Sequence, residues 1–231
     1  MGGICGGNNN QVTISNCKNN GSIEGTSVNN SSGTVGGIIG WLYHGQVSNS
    51  SNFGSITARS NCIGGIGGAN TSGEIFNCFN NGKTTSSGPS GIGGIVGYQA
   101  NTSSKTSNCY NFNQINGVGS VGGIIGDNRG TIENSYNIGT INGAHISVGS
   151  ITGNNNNEAQ INNSYYLNTL STSLYGINSG TVDSASTSKS EAEMKAQAFV
   201  DLLNADQSDL PWQLDTNLNN GYPIFKWQTE E

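Results

Sequence analysis

The chain contains little charge, little proline and no long apolar run. Of its 231 residues, 8 are Lys or Arg, 14 are Asp or Glu, and only 3 are Pro. The five basic residues of the repeats are scattered, which gives no electrostatic footprint for a phosphate backbone and argues against nucleic acid as a partner. No signal peptide, transmembrane run or anchoring motif is recognisable, so we expect no membrane insertion within this chain.

Residues that hold metals or cofactors are equally sparse. The two histidines, His44 and His145, fall in different repeats. The sequence has no HExxH motif and no closely spaced pair of cysteines, and its glycine-rich turns lack the regular Asp of calcium-binding solenoids. The sequence therefore predicts neither a metal site nor a cofactor.

Glycine is abundant instead, at 36 residues, and much of it lies in a repeated Gly-hydrophobic-hydrophobic-Gly step. The central isoleucines of successive copies are 34, 28, 29, 29 and 27 residues apart. A fixed period of this size is the signature of a solenoid, in which each repeat buries its apolar face against its neighbours. The copies are Gly3–Gly6, Gly37–Gly40, Gly65–Gly68, Gly94–Gly97, Gly123–Gly126 and Ser150–Gly153.

Each glycine step is followed by an Asn-Cys or Asn-Ser step. The apolar runs between these steps are too short for helices and are closed by Gly or Asn, which indicates short strands ended by turns. Gly and Asn both tolerate a left-handed backbone, so we assign both to sharp corners. The asparagines of this step are Asn16, Asn49, Asn77, Asn108, Asn134 and Asn163.

Strand and corner units that recur in this way predict an all-β fold. We expect a parallel β-solenoid, or β-helix, of about six coils stacked about 4.8 Å apart, with a small α+β cap at the C-terminus. Right-handed winding is usual for connections between parallel strands, and we expect it here. Disorder is the competing interpretation of so polar a chain, but the periodic isoleucines argue against it.

The alternation of Gly-Ile-Ile-Gly with Asn-Ser-Tyr-Asn-x-Gly resembles the GLUG-motif repeats of bacterial surface proteins. The best copy spans residues 121–141, and the resemblance covers about residues 2–168. Such repeats occur in large adhesin-like proteins and in the non-catalytic part of some immunoglobulin A1 peptidases. The resemblance implies a β-helical extracellular segment of a larger protein, with no chemistry of its own. The departures from the pattern are Ser150, Thr152, Asn113 and Gly67.

The sequence pattern changes near residue 170. We assign residues 1–170 to the repeats, residues 171–189 to a linker or a degraded last coil, and residues 190–231 to a cap. In the cap, Ser190 and Glu193 form a predicted capping box at the start of an amphipathic helix, and an aromatic run follows near the end of the chain. Because the last coil of a solenoid has an uncovered apolar end, we predict that the helix and the aromatic strand cover that end.

The five cysteines include three that share one repeat position, namely Cys17, Cys78 and Cys109. Other repeats carry serine there, which indicates a small inward site where a free thiol behaves as a small hydrophobe. We predict buried free thiols. A disulfide between Cys78 and Cys109, on adjacent coils, is the alternative.

Aromatic residues follow this small position in four repeats and are candidate ligand-binding residues. If the small residue points inward, strand alternation turns its neighbour outward and produces a column of rings along one face. Exposed rings of this kind stack on sugars or anchor a protein partner, whereas rings that only stack on each other stiffen the solenoid. The column consists of Phe79, Tyr110, Tyr136 and Tyr165.

A second group of candidate ligand-binding residues lies after the glycine steps. Trp41 and Tyr43 form a bulky turn where other repeats are polar, and Tyr98 occupies the equivalent corner two coils later. We predict that these three residues contribute to recognition if the chain binds a ligand, because exposed aromatic residues are frequent in binding sites. The alternative is that the bulky turn covers the core locally.

These features predict a non-catalytic repeat segment of a bacterial cell-surface, adhesin-type protein that acts as a stalk or display module. The alternative is a weak multivalent binder of host glycans or glycoproteins. A third hypothesis, a polysaccharide-degrading β-helix enzyme, requires grouped acids, but Asp127 and Glu133 share one repeat and Glu74 lies two coils away. We therefore predict that the chain is not an enzyme.

We expect this segment to be secreted, monomeric and attached to other domains of the same larger protein on the cell surface. The chain starts within a repeat, so an export signal and an anchor are expected outside it. Both expectations depend on the resemblance and on composition rather than on a motif in this chain.

Overall fold

The fold is a parallel β-solenoid, as the sequence predicts. The computed structural model describes residues 1–25, 33–143, 147–156, 158–170, 176–180 and 186–230. Four sheets run along the solenoid, and each turn of the chain passes through them in the same order, here called sheets I to IV. Sheets I and IV have five strands each, which gives about five full turns, with part-turns at both ends.

Sheets I and II contain the strands on either side of the glycine step. Sheet I consists of Thr34–Gly36, Cys62–Gly64, Ile92–Gly93, Val121–Gly122 and Val148–Gly149. Sheet II consists of Ile39–Leu42, Gly67–Asn70, Val96–Gln99, Ile125–Asn128, Thr152–Asn155 and Ile177–Gly180.

Sheet III is the largest, with eleven strands, and it contains the Asn-Cys/Ser step. Its strands are Gln11–Ser15, Lys18–Asn19, His44–Ser48, Ser51–Asn52, Glu74–Asn80, Lys105–Asn111, Thr131–Glu133, Tyr136–Asn137, Gln160–Asn162, Ser164–Leu167 and Ser186–Lys189. Sheet IV consists of Ile23–Gly25, Ile56–Ala58, Thr84–Ser86, Ile115–Gly117 and Ile141–Gly143. The strands Ile177–Gly180 and Ser186–Lys189 continue the sheets past residue 170.

The solenoid interior is a column of isoleucines that stack in register. The central isoleucine of each glycine step from the second copy onward is fully buried, whereas Ile4 in the first coil is 50% exposed. Burying a side chain of this size stabilises the fold by about 1.5–3 kcal/mol. The buried members of the column are Ile38, Ile66, Ile95, Ile124 and Ile151.

The asparagine of the Asn-Cys/Ser step forms a left-handed corner in every repeat, which confirms the prediction for that residue. All six of these asparagines have φ values between 43° and 54°. Asn accepts this conformation more readily than other residues with a side chain, because its short amide bonds to the local backbone. The repeated asparagine therefore sets the bend within sheet III.

The glycines of the repeated step have a different role from the one predicted. None of them has a positive φ. They are required because another coil lies too close: a Cβ at Gly65 would lie 2.2 Å from the carbonyl oxygen of Gly94 and 2.3 Å from the side-chain Cγ of Asn80. A Cβ at Gly94 would likewise lie 2.1 Å from the Gly123 carbonyl oxygen. The prediction of glycine corners was wrong, and close packing is the reason for these glycines.

The asparagines that contact these glycines form a hydrogen-bonded ladder through the interior. Each side-chain Nδ2 donates to the Oδ1 of the next asparagine at 2.7 to 2.9 Å. The same amides donate to a backbone carbonyl two residues later, so the buried polar groups are satisfied. The glycines of the repeated step leave the space that the asparagine side chains of the ladder fill. The glycine step and the ladder asparagine therefore recur with the same period. The ladder consists of Asn19, Asn52, Asn80, Asn111 and Asn137.

The C-terminal segment packs against the side of the solenoid. It contains helices α1 (Glu191–Met194) and α2 (Gln197–Asn204), an antiparallel pair of strands, Trp212–Gln213 and Ile224–Phe225, and 3₁₀ turns at Asn219–Gly221 and Lys226–Thr229. Ser190 forms the predicted capping box with Glu193. No helix in the described part of the chain is long and apolar enough to cross a membrane.

The position of this segment corrects the prediction that it covers the open end of the last coil. Its apolar residues instead cluster with aromatic residues on the outer face of sheet III, including Phe79 and Tyr136. The aromatic column provides an apolar surface for the segment to cover. Hydrophobic burial therefore holds the segment across several coils.

Candidate functional site

The predicted aromatic column exists, and its members lie side by side on adjacent coils. Tyr110 is in register with Phe79 and with Tyr136, and Tyr136 is in register with Tyr165. The Phe79 and Tyr110 rings stack at 4.9 Å, and the Tyr110 and Tyr136 rings at 5.0 Å, both nearly parallel. These distances are close to the spacing of parallel strands, about 4.8 Å, so the coil repeat itself produces the stack.

The column is covered, which corrects its assignment as a ligand-binding surface. Tyr110 and Tyr136 are 1% and 0% exposed, and Phe79 and Tyr165 are also buried. Trp212 lies over both central tyrosines, at ring-centroid distances of 6.1 and 5.5 Å. Phe225 and Phe199 complete the cover. The C-terminal segment thus occupies the face on which a glycan or a protein partner would stack.

Burial also determines the ionisation of the central tyrosines. It raises the pKa of Tyr110 and of Tyr136 far above the usual value, because a phenolate loses its hydration there. The Tyr136 hydroxyl donates to the Pro223 carbonyl oxygen and accepts a hydrogen bond from Nδ2 of Asn219. The Tyr110 hydroxyl exchanges hydrogen bonds with the side-chain amide of Gln228, so both hydroxyls act as structural hydrogen-bonding groups at neutral pH.

The candidate residues Trp41 and Tyr43 remain accessible. Each is 38% exposed, and their ring centroids are 5.7 Å apart. The indole Nε1 of Trp41 donates to Oγ1 of Thr71, and His44 packs edge-on against Tyr43 at 4.3 Å. These contacts hold two aromatic rings in defined positions on the surface of the first coils.

Tyr98 lies on the same outward column of sheet II as Trp41, with Ala69 between them. Ala69 is only 4% exposed, so no open slot separates the two rings. Tyr98 is half-buried, and the guanidinium of Arg129 lies 5.4 Å from the centre of its ring. The three predicted residues therefore form one exposed pair and one separate, partly covered ring.

A small group of ionisable residues surrounds Tyr98. Burial raises the pKa of Asp127, an effect that Arg129 and a hydrogen bond from Asn154 partly oppose. Burial and the nearby Asp127 charge together raise the pKa of the Cys62 thiol to about 12. A thiol with so high a pKa stays protonated at neutral pH and is a poor nucleophile.

The other predicted acids lie on a different face. Glu133 pairs with Lys105 at 2.8 Å on sheet III, whereas Asp127 lies on sheet II. Glu74 accepts a hydrogen bond from Nε2 of Gln46. Among the residues that the structure describes, no three His, Cys, Asp or Glu side chains converge as metal ligands would. His145 lies outside the described residues.

The cysteines are free thiols. Cys78 and Cys109 face each other in register on adjacent coils and are fully buried. Each thiol donates to the backbone carbonyl oxygen two residues earlier, at 3.1 and 3.2 Å. Burial raises the pKa of Cys109. These contacts agree with the small inward site that the exchange of Cys and Ser predicts.

Sequence reasoning missed two polar clefts on the outer face of sheet III. One has a volume of about 340 Å³ and lies between the solenoid and the turn after α2, and the other has a volume of about 510 Å³ and lies on the first coils. The alternation of polar residues along the strands could have indicated an outward polar face. The wall formed by residues 205–207 depends on tertiary packing and has no local signal.

Comparison with known proteins supports the fold. No family model matches the chain, and no curated protein matches it. A crystal structure at 1.30 Å resolution, of a protein from Bacteroides ovatus described as a candidate immunoglobulin A1 protease, is similar, with a TM-score of 0.63 and 22% identity. The alignment covers 98% of this chain and 74% of that one. At this identity the likeness establishes a shared β-solenoid fold.

Proposed function

We propose that this chain is a rigid, non-catalytic segment of a bacterial cell-surface protein of the adhesin type, where it serves as a stalk or display module. The observation that carries the proposal is the covered aromatic column. This apolar surface of the solenoid holds the chain's own C-terminal segment across several coils. Covering the aromatic column with this segment stiffens the solenoid and leaves mainly polar side chains on its outer faces.

Stiffness follows from the way in which the coils stack. Strands pair in register from coil to coil in all four sheets, and the interior asparagine ladder crosses the same boundaries. Thr13 and Gln160 lie on one outward column of sheet III, five coil steps apart. At the spacing of parallel strands, this separation is about 24 Å.

Double electron–electron resonance between spin labels attached to cysteines introduced at positions 13 and 160 tests this rigidity. Cys5, Cys17 and Cys62 would be replaced by serine, so that only the introduced sites are labelled. A narrow distance distribution centred near about 24 Å, after allowance for the label arms, is expected. A broad distribution in the folded chain would contradict the stalk proposal.

Peptide hydrolysis is the enzymatic alternative suggested by the description of the Bacteroides ovatus protein. A cysteine nucleophile requires a lowered thiol pKa, whereas burial raises those of Cys62 and Cys109. We therefore infer that neither thiol is a protease nucleophile, and we propose that the chain does not cleave proteins by itself. Incubation with immunoglobulin A1, beside an active protease as the positive control, should leave the heavy chain intact. Cleavage by the purified chain would overturn this proposal.

Weak binding of host glycans or glycoproteins is a second candidate function, which the exposed pair Trp41 and Tyr43 favours. Aromatic rings fixed at the surface can stack on sugar rings. A glycan and mucin array with the native chain and Trp41→Ala measures this directly, and Leu218→Ala removes an equally exposed side chain elsewhere as a control. Binding lost only in Trp41→Ala would support this second candidate. If no glycan or mucin on the array binds the chain, the second candidate is rejected and the stalk proposal is kept.

A further inference from the structure

The two polar clefts of sheet III meet at one side chain. Lys105 lines both the 340 Å³ cleft and the 510 Å³ cleft. Its side chain is 41% exposed and is held by Glu133 at 2.8 Å. The clefts adjoin at Lys105, and we take them together as one groove that runs on both sides of this side chain.

Strand register gives the direction and the length of this groove. Its first part includes Thr13 and Gln46, and its second part includes Glu133 and Asn162. Thr13 lies on the first strand of sheet III, and Asn162 lies on the strand that pairs with Thr131–Glu133. The groove thus crosses the coils at right angles to the strands over about 24 Å, long enough for an extended chain molecule.

The groove is polar and carries no excess of positive charge. Amide and hydroxyl groups from residues such as Gln46, Asn134 and Asn162 line it. Its ionised groups are three carboxylates, Glu74, Glu133 and Asp206, against the single Lys105. This balance repels polyanions, and the polar lining offers little to a lipid or to an apolar peptide. Glu133 and Glu74 are already engaged by Lys105 and Gln46, and the amides and hydroxyls that make up most of the remaining lining fit a neutral ligand rich in hydroxyl groups.

The walls of the groove are fixed before any ligand arrives. Asn108 exchanges two hydrogen bonds with Gln207, at 2.8 and 2.9 Å, which fastens the turn after α2 to the solenoid. Asp206, which precedes Gln207 in this turn, has a left-handed φ of 60°. Asn134 and Asn163 sit at left-handed corners of the opposite wall. Fixed polar groups bind with less loss of conformational entropy.

One aromatic ring lies on the same face of the sheet. Phe76 is half-buried and is in register with Ser48 on one side and Ser107 on the other. Ser107 belongs to the lining of the second part of the groove. Phe76 lines neither cleft itself but borders the groove through Ser107. An aromatic ring beside a lining of planar amides suits sugar rings, which present hydroxyl edges and an apolar face.

We infer that the groove along sheet III, from Thr13 past Lys105 to Asn162, binds a neutral oligosaccharide in an extended conformation. This site is separate from the exposed pair Trp41 and Tyr43 and goes beyond the stalk function. The C-terminal segment then has a second role, because its turn at 205–207 forms one wall of the groove.

Titration of the isotope-labelled full chain, followed by nuclear magnetic resonance, tests the inference. The probes are neutral oligosaccharides of glucose, mannose and N-acetylglucosamine, from disaccharide to hexasaccharide, with polygalacturonate as the polyanion. We expect shift changes at Gln46, Lys105 and Asn134 with at least one neutral series. Affinity should rise with the number of sugars and level off once the ligand spans the groove.

Two variants and a matched control separate the groove from the rest of the surface. Gln46→Ala removes one amide, and Asn163→Gly removes another while keeping the left-handed corner, which glycine adopts freely. Each should weaken binding about tenfold. Asn142→Ala, an exposed amide on sheet IV, should leave the affinity unchanged.

Saturable shifts in the groove that both variants weaken would support the inference. Silence with every neutral series, shifts produced only by polygalacturonate, or shifts confined to Trp41 and Tyr43 would overturn it. The last result would favour the second candidate function and would have no bearing on the spin-label test of the stalk proposal.

Discussion

The indole Nε1 of Trp212 donates a hydrogen bond of 3.1 Å to Oδ1 of Asn108, a residue 104 positions earlier in the chain. Asn108 is one of the six corner asparagines, and its Oδ1 also accepts a hydrogen bond from Gln207. The C-terminal segment is thus attached to a repeated element of the solenoid by directional contacts as well as by burial of aromatic surface.

Replacement of Trp212 tests how much this attachment stabilises the chain. Trp212 is 1% exposed and packs on Phe225 at 4.2 Å. Trp212→Ala should lower the free energy of unfolding in urea by about 3–5 kcal/mol, because it removes a large buried ring and leaves a cavity. Leu218→Ala, on the surface of the same segment, should change it by less than about 0.5 kcal/mol. Equal, small losses in both variants would mean that the segment is loosely held.

Much of the fold can be predicted from the sequence, because a solenoid repeats its local rules. The period of the isoleucines gives the coil, and the asparagine of the Asn-Cys/Ser step gives the left-handed corner. The role of the glycines could not be predicted in the same way. A sequence pattern does not distinguish a glycine needed for its φ from one needed because a neighbouring coil lies within van der Waals distance.

If the glycines are needed for steric reasons, alanine should have different effects on stability at Gly97 and Gly6, which are the last glycines of two copies of the repeated step. A Cβ at Gly97 would lie 2.4 Å from the backbone nitrogen of Ile63, whereas a Cβ at Gly6 would meet nothing within 4 Å. Gly97→Ala should therefore destabilise the chain by about 1–3 kcal/mol or more, because overpacking forces the backbone to move. Gly6→Ala should be nearly neutral in the same unfolding measurement. Equal effects would show that the steric explanation is wrong.

The interior asparagine ladder makes a similar prediction for polar contacts. Asn80 is fully buried; its Nδ2 donates to Asn111 and to the Gly82 carbonyl oxygen, and its Oδ1 accepts from Asn52. Asn80→Ala should cost about 2 kcal/mol or more, because buried partners lose their hydrogen bonds. Asn116→Ala removes a partly buried amide outside the ladder and should cost less than about 1 kcal/mol. Thermal or urea unfolding of both variants decides this.

The candidate ligand-binding residues were harder to predict than the coils. The alternation of side chains along the strands correctly predicts that four rings point away from the solenoid interior, namely those of Phe79, Tyr110, Tyr136 and Tyr165. Whether an outward ring meets solvent depends on a segment whose rings lie from 34 residues (Tyr165 to Phe199) to 148 residues (Phe79 to Trp227) later in the chain, and no local pattern reports its position. The same limit concealed the groove, one wall of which comes from the turn after α2.

Alkaline pH should destabilise the chain through its buried tyrosines. Because burial raises the folded-state pKa of Tyr110 and Tyr136, their stabilising contribution is complete below the unfolded value of about 10 and is lost as the pH rises above it. The free energy of unfolding should therefore fall from about pH 9 to pH 11. Tyr110→Phe should reduce this slope, and the double change with Tyr136→Phe should reduce it further. A slope that neither variant alters would contradict burial of the phenols.

Nitration of tyrosines by tetranitromethane, mapped by mass spectrometry on the native chain, tests the central claim most directly. Tyr43 is 38% exposed and serves as the internal reference, whereas Tyr110 and Tyr136 are 1% and 0% exposed. If the C-terminal segment covers the aromatic column, Tyr43 will be nitrated while Tyr110 and Tyr136 stay protected until the chain is unfolded. Nitration of Tyr110 and Tyr136 at the rate of Tyr43 in the folded chain would show that the column is open to solvent and available to ligands.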